Sequence, residues 1–261
     1  MRIEFLTQDD PLYVLPFFDE FARHHAKEFD VIHIASSPAM GRRSRSQMIK
    51  ELTQLYGLLG ICRLVSRLVI AKIYGKFPKK PGAPRYSTLS QLCRAYGIPH
   101  KQIGNPNTLE FVESARRRAP DVLVSVACPY ILKDPLLLLA PQGAINIHHA
   151  PLPRYKGMMP TFWQMFHGEK VVGLTIHYMS ARIDEGEALL QEKQAIDPGE
   201  SLDHLIQRSK RHGAHCLARV LRQVRDGTVK RIPLNHAQGS YFTFPTSEEI
   251  REFRRRGNRA I

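Results

Sequence analysis

The sequence predicts an α/β protein with a doubly wound, mostly parallel β-sheet and a short C-terminal appendage. Residues 2–6 and 30–35 have the composition of strands, and residues 13–27 between them have helical periodicity. Residues 121–126 form a mostly apolar run, which is typical of parallel strands buried on both faces. A strand, a helix and a second strand make a βαβ unit, and such units build a doubly wound sheet.

Further periodic segments predict additional helices. Apolar residues over 46–76 indicate one or two amphipathic helices, within a helical insertion of about 41–80. Residues 79–84 are rich in Pro and Gly and predict a linker. Gly97 suits the end of a helix because it tolerates the left-handed conformation found there. Three more helices are expected over residues 88–96, 108–118 and 201–225.

Composition limits the class of protein. The four cysteines are widely scattered and contain no Cys-x-x-Cys pair, so neither a disulfide framework nor a metal site is expected. The first residues lack the basic-then-apolar build of a signal peptide, and no apolar run reaches the length that spans a bilayer. We therefore expect a cytoplasmic protein without a transmembrane segment.

A formal net charge of +14 is the strongest bias in the composition. Much of the excess lies between residues 41 and 80 and in the tail 251–259. Such a field favours anionic partners, for example a phosphorylated small molecule, although a solvated basic surface explains any single cluster equally well. For the segment 46–76 the alternatives are a membrane-surface helix, packing onto the sheet, or packing onto a second subunit in a homodimer.

Polar side chains gather near two predicted strand ends. Because side chains alternate along a strand, Asn146 and His148 point to one face while Ile145 and Ile147 point to the other. A second strand over residues 173–177 leads to Asp184, in an Asp-Glu-Gly turn. Open α/β sheets hold ligands where strands end in such loops.

Residues 146–157, with the pattern Asn-x-His followed by Pro-x-Tyr-x-Gly, and residues 173–186 resemble the 10-formyltetrahydrofolate-dependent formyltransferase family. The sequence departs from the family pattern at Ala150-Pro151, where the family has Ser-Leu. The resemblance implies a Rossmann-like fold with Asn146 and His148 at the formyl carbon and Asp184 beside them.

The chemistry of formyl transfer explains these residue types. An amine that attacks a formyl carbonyl creates an oxyanion, which the Asn146 amide could stabilise by about 3–4 kcal/mol. His148 suits the transfer of a proton from the amine to the departing folate nitrogen, and Asp184 would orient its imidazole and favour the protonated form. We assign His149 and His177 structural roles, the first because alternation turns it away from His148.

The resemblance also implies where the donor, 10-formyltetrahydrofolate, binds. Two strand-to-loop junctions correspond to the stretches that contact the pterin ring in the family, and no metal is implied. The expected donor-binding residues are Pro129, Tyr130, Ile131 and Leu132 in the first junction, and Ser180, Ala181, Arg182 and Ile183 in the second.

The acceptor is expected to be a primary amine on a small anionic, phosphorylated molecule, such as a nucleotide-linked amino sugar. We expect a catalytic domain over residues 1–230 and a short extension over 231–261, too short for the additional domain with which methionyl-tRNA formyltransferases grip their substrate. A formyltetrahydrofolate deformylase and a methionyl-tRNA formyltransferase are the alternative enzymes. A basic nucleic-acid-binding protein is the non-enzyme alternative, although no binding motif supports it. The motifs of nicotinamide enzymes and P-loop ATPases are missing from the sequence.

Overall fold

A computed structural model describes residues 1–38 and 44–261, so residues 41–43 of the expected basic cluster lie outside the described residues. The strands in these ranges are β1 (Arg2–Asp9), β2 (Asp30–Pro38), β3 (His100–Gln102), β4 (Val122–Val126), β5 (Ala144–His148), β6 (Lys156–Gly157), β7 (Val171–Tyr178), β8 (Ala188–Ala195) and β9 (Tyr241–Phe242). The helices are α1 (Leu15–His25), α2 (Arg45–Tyr74), α3 (Leu89–Tyr96), α4 (Leu109–Arg118), α5 (Asp134–Leu137), α6 (Pro160–Phe166), α7 (Leu202–Arg225) and α8 (Ser247–Arg255).

The main sheet has seven strands in the order β3-β2-β1-β4-β5-β7-β8. The first five run parallel, whereas β7 is antiparallel to β5 and β8 is antiparallel to β7. Since β1, β4 and β5 are parallel neighbours, the loops that follow them leave the same edge of the sheet. The mostly parallel α/β fold expected from the sequence is confirmed.

Helices cover both faces of this sheet, which makes it doubly wound. On one face, α1, α3 and α7 bury a core that includes Phe5, Phe17 and Leu217. On the other face, α4 and α5 bury Phe111 and Leu136. The two separate cores explain why the central strand β4 is buried along its whole length and is apolar except at Ser125.

Helix ends follow the chemistry of the sequence. The hydroxyls of Thr88, Thr108 and Ser201 each accept a backbone N–H from the first turn of α3, α4 and α7. Gly97 ends α3 with φ of +67°, a left-handed conformation that costs glycine little. These contacts confirm the three helices expected from capping signals and periodicity.

Helix α2 confirms the helical segment but not its expected amphipathic pattern. Gly57, with φ of +69°, interrupts the helix and divides it into two parts. Leu55 and Leu64 are buried, yet Leu58 and Leu59 are exposed. After the kink the packed side of the helix buries Leu64, but most of the other apolar residues stay exposed, so the helix is not apolar on its packed side alone.

Residues 231–261 pack against the rest of the chain. Ile232 bridges Ala188 of β8, and β9 pairs in parallel with β6. Phe253 of α8 stacks on Phe162 of α6 with ring centroids 4.6 Å apart. This segment thereby completes a third core, next to the loop that follows β5.

A buried ion network links β1, β2 and α4. Glu4 is fully buried, and its carboxylate accepts hydrogen bonds from Arg118 Nε at 3.1 Å and from His33 Nδ1 at 3.1 Å. Burial alone would raise the pKa of Glu4, but the hydrogen bonds and charges of Arg118 and His33 outweigh it and hold that pKa below its usual value.

Candidate active site

Asn146 and His148 lie on one face of β5, at the edge where β1, β4 and β5 end. Their neighbours Ile145 and Ile147 point into the core beneath α1 and α7, as strand alternation predicts. His148 is buried, and its Nε2–H donates to the carbonyl oxygen of Tyr155 at 2.8 Å. Since Nε2 carries this hydrogen, Nδ1 is the nitrogen that is free to exchange a proton.

His177 faces Asn146 from the neighbouring strand. The antiparallel register of β5 and β7 pairs the two residues directly. His177 Nδ1–H donates to the carbonyl of Tyr178 at 2.8 Å, which leaves Nε2 as an acceptor for Asn146 Nδ2, 3.2 Å away. One N–H of the Asn146 amide is therefore fixed by His177, and the other has no acceptor within residues 1–38 and 44–261, so it is available to a ligand.

Asp184 lies beside His148 and His177 because the loop between β7 and β8 folds back over the sheet. Its Oδ2 lies 3.6 Å from His148 Nδ1, and its Oδ1 lies 3.7 Å from His177 Nε2. The backbone N–H of Gly157 donates to Oδ2 at 3.0 Å. Burial acts to raise the pKa of Asp184, but the two imidazoles and the Gly157 N–H outweigh it and lower that pKa to about 2.

For His148 the effect of burial on the pKa exceeds the effect of the neighbouring charge. Burial lowers its pKa below the ordinary value, and the negative charge of Asp184 opposes that shift without reversing it. The gap of 3.6 Å between Nδ1 and the carboxylate is too long for a hydrogen bond. Asp184 therefore acts on His148 mainly through its charge.

Strained backbone surrounds this cluster. Asp184 and Tyr155 have φ of +54° and +60°, and Ala127, just after β4, has φ of +54°. Such conformations cost about 1–3 kcal/mol each for residues other than glycine and persist only where the surroundings enforce them. At Tyr155 the strained conformation aims a carbonyl at His148, and at Asp184 it aims a carboxylate there.

Lys210 of α7 adds a buried positive charge near the cluster. Within residues 1–38 and 44–261 its ammonium has no hydrogen-bond or ion-pair partner, and its charge lowers the pKa of both His148 and His149. Burial lowers the pKa of Lys210 itself to about 8, against the opposing charge of Asp10. Asp10 follows β1 and accepts the backbone N–H of Leu12 at 2.8 Å.

The two histidines to which the sequence assigned structural roles have different surroundings. His149 turns away from His148 and packs against α7, where a side chain added at Gly213 would meet its ring. Neither of its ring nitrogens has a hydrogen-bond partner in the described part of the chain. His177, by contrast, belongs to the cluster, so the structural role assigned to it from the sequence misses this contact with Asn146.

The expected donor-binding residues lie in two neighbouring loops. Residues 129–132 follow β4, and residues 180–183 stand between β7 and β8. Leu132 is buried in the core beneath α5, which also receives Met179 from the second loop. In the described chain, the backbone N–H groups of Ile131 and Leu132 have no acceptor, so they can bind a polar heterocycle edge. Ile131 is exposed beside them.

One group of side chains among the described residues has the spacing of metal ligands. Glu20 and His24 of α1 and His215 of α7 bring three ligand atoms within 4.8 Å of one another. None of them belongs to the cluster around His148. Because the three residues come from two helices that are far apart in sequence, their spacing along the chain did not indicate a metal site.

Fold and cluster together define a class of protein. An amide donor, an imidazole and a carboxylate at the carboxyl edge of a parallel sheet can stabilise an oxyanion and move a proton, as acyl-group transfer requires. The family follows from comparison with known proteins: residues 83–221, more than half of the chain, match the family model for formyl transferase. The chain belongs to the formyl transferase family, which confirms the resemblance carried by residues 146–157 and 173–186.

Curated relatives match over part of their length. The chain is 33% identical to the methionyl-tRNA formyltransferase of Acetivibrio thermocellus over 168 residues, which cover 63% of this chain and 54% of that protein. It is 35% identical to the methionyl-tRNA formyltransferase of Pelobacter propionicus over 153 residues, which cover 59% of this chain and 48% of that protein. The chain thus spans about half the length of these relatives.

Solved structures share the fold. Glycinamide ribonucleotide transformylase 1 from Symbiobacterium toebii has a TM-score of 0.60 and 17% identity, with coverage of 90% of this chain and 94% of that one. A sugar N-formyltransferase from a Shewanella species has a TM-score of 0.55 and 18% identity, with coverage of 93% and 76%. At these identities the likeness concerns the fold alone.

Proposed function

We propose that the protein transfers a formyl group from 10-formyltetrahydrofolate to a primary amine, and that Asn146, His148 and Asp184 carry the reaction. The observation that carries the proposal is the convergence of these side chains, with His177, inside the stretch that matches the formyl transferase family. The bound donor supplies an activated formyl carbon.

The free N–H of the Asn146 amide donates to the formyl oxygen as it gains negative charge. His177 accepts the other N–H at 3.2 Å and so keeps the amide from rotating. A donor fixed in this way needs no reorganisation when charge develops, which is why such groups contribute strongly to acyl transfer.

His148 transfers the proton from the amine to the folate nitrogen. The amine nitrogen forms a bond to the formyl carbon and loses a proton, and the bond from that carbon to the folate nitrogen breaks as this nitrogen gains one. Nδ1 of His148 is available for both transfers because Nε2–H is held by the Tyr155 carbonyl. Asp184 stabilises the protonated imidazole between the two transfers.

The donor-binding roles of residues 129–132 and 180–183 remain part of this proposal. Leu132 and Met179 pack into the same core, and the N–H groups of Ile131 and Leu132, which have no acceptor in the described chain, suit the polar edge of a pterin ring. Their position after β4 fits the general location of ligands in open α/β sheets.

For the acceptor we propose a small anionic amine, such as a nucleotide-linked amino sugar, on the basis of the net charge of +14. Methionyl-tRNA is the second candidate, because the curated relatives act on it by name. Isotope-labelled donor, offered with a panel of amines that includes both, tests the choice by mass spectrometry of the acceptors. Label in methionyl-tRNA alone would overturn the small acceptor, and label in formate alone would indicate a deformylase.

Adjacent histidines give a matched test of the site. His148→Gln should lower turnover by about two or more orders of magnitude, the range of positioned acid–base groups. His149→Gln changes the neighbouring imidazole, which faces α7, and should retain most of the turnover. Thermal unfolding of both variants checks that the fold survives. Equal loss of activity in two folded variants would contradict the assignment of His148.

A further inference from the structure

Helix α2 carries an exposed apolar surface after its kink at Gly57. Leu58 and Leu59 are 77% and 89% exposed, far more than leucines of a helix packed on a core. The rest of this surface, which we call the α2 apolar face, consists of Val65, Leu68, Val69, Ile70, Ile73, Tyr74 and Phe77, all exposed. Single exposed apolar residues are ordinary, but a contiguous group of this size marks an interaction site.

The opposite side of the helix is fixed to the body of the protein. Leu64 is buried, and Arg67 Nη1 lies 3.2 Å from both carboxylate oxygens of Asp203 in α7. Before the kink, the Tyr56 hydroxyl bonds the Tyr13 hydroxyl at 2.7 Å. These contacts hold α2 in one orientation, so the α2 apolar face points outward.

The stretch of sequence that carries this face is basic. Between Glu51 and Glu110 the sequence has no acidic residue, although it contains nine basic ones: Arg63, Arg67, Lys72, Lys76, Lys79, Lys80, Arg85, Arg94 and Lys101. Lys72 and Lys76 are exposed beside Ile73 and Phe77. An apolar face flanked by these exposed lysines is complementary to a surface that is apolar within and anionic at its boundary.

A lipid surface meets that description better than a second copy of the chain does. In a symmetric dimer the same surface occurs on both partners, so the basic border would face itself. Spanning the bilayer is also unsupported, since no helix in the described ranges is long and apolar enough to cross a membrane. A helix of this composition instead lies in the plane of the interface.

We propose that the α2 apolar face docks onto an anionic phospholipid surface. Tyr56 of the same helix contacts Tyr13 in the segment after β1, at the sheet edge that bears Asn146 and His148. Docking therefore brings the candidate active site to the membrane, where it meets amines carried on phosphorylated lipids. This consequence for the acceptor rests on the proposed function, whereas the docking itself does not.

Vesicle co-sedimentation of the full chain tests the docking, without any formyl donor. Vesicles of phosphatidylcholine mixed with phosphatidylglycerol should bind the protein, and phosphatidylcholine alone should bind it much less. Each basic side chain near an anionic surface strengthens binding roughly fivefold, so Lys72→Glu with Lys76→Glu should weaken it by at least roughly 25-fold. Leu58→Ser with Leu59→Ser should weaken it by at least roughly tenfold.

The matched control is a pair of exposed leucines elsewhere. Leu109 and Leu138 are 76% and 81% exposed on other elements, so Leu109→Ser with Leu138→Ser should bind vesicles like the unchanged protein. The lysine variants alter only exposed side chains and keep the test decisive should the leucine pair fail to fold.

Three results would overturn the proposal: no binding to anionic vesicles, equal binding to neutral ones, or equal loss in the control pair. Sedimentation velocity tests the alternative that a second copy of the chain covers this face. A dimer that dissociates in the Leu58→Ser, Leu59→Ser variant, with no vesicle binding, would assign the face to self-association. Because no formyl transfer is measured, failure of docking leaves the proposed function standing.

Discussion

The charge of Asp184 should govern the titration of His148, and Asp184→Asn removes that charge with little change in shape. The carboxylate opposes the effect of burial by favouring the protonated imidazole, so its loss should lower the pKa of His148 further. At 3.6 Å, unit charges attract by about 1.2 kcal/mol in a dielectric like water and about 4.6 kcal/mol in one of about 20. Loss of this attraction should therefore produce a clear fall in the pKa of His148, and the measured fall converts to the attraction at about 1.36 kcal/mol per pKa unit.

Nuclear magnetic resonance titration of the labelled histidine ring measures this pKa directly, and the limb of the rate–pH profile that reports His148 should move to lower pH with it. The matched control is Glu185→Gln, which removes the adjacent carboxylate that pairs with Lys156 at 2.8 Å. An unchanged or higher pKa of His148 in Asp184→Asn, or an equal shift in Glu185→Gln, would refute the electrostatic coupling.

Two other substitutions test the remaining charges. Lys210→Met removes a positive charge that lowers the pKa of His148, so the same titration should show that pKa rising, opposite to the effect of Asp184→Asn; a fall would contradict the placement of Lys210. Arg118→Met leaves the fully buried carboxylate of Glu4 without its arginine and should cost about 3–5 kcal/mol of unfolding free energy in urea at neutral pH. Adding Glu4→Gln should recover much of that cost, and a loss under about 1 kcal/mol in the single variant would contradict the role given to the network.

Signals from residues close in sequence were enough to predict where several helices begin and which residues share a strand face. The hydroxyls of Thr108 and Ser201 begin α4 and α7 as expected, since capping needs only residues close in sequence. Strand alternation likewise predicted that Asn146 and His148 share a face. The strand β8 was not predicted, because its charged residues give no clear apolar run.

Contacts that depend on pairing between distant segments could not be predicted from the sequence. His177 meets Asn146 only through the antiparallel register of β5 and β7, and a shift of one residue would turn its ring to the other face. Lys210 lies on the buried side of α7, where helical periodicity predicts an apolar residue. The packing of Phe253 on α6 likewise requires the chain to return over a long distance in sequence.

The most direct test of the catalytic assignment is the rate of formyl transfer in a single turnover at saturating donor, for the unchanged protein and for Asn146→Ala. Removing one oxyanion donor should lower that rate by roughly 100- to 1000-fold. Donor affinity, measured separately by equilibrium binding, should change little, because the donor-binding loops lie outside this substitution. A rate within a few-fold of the unchanged protein, with the acceptor formylated normally, would contradict the claim that Asn146 stabilises the transition state of formyl transfer.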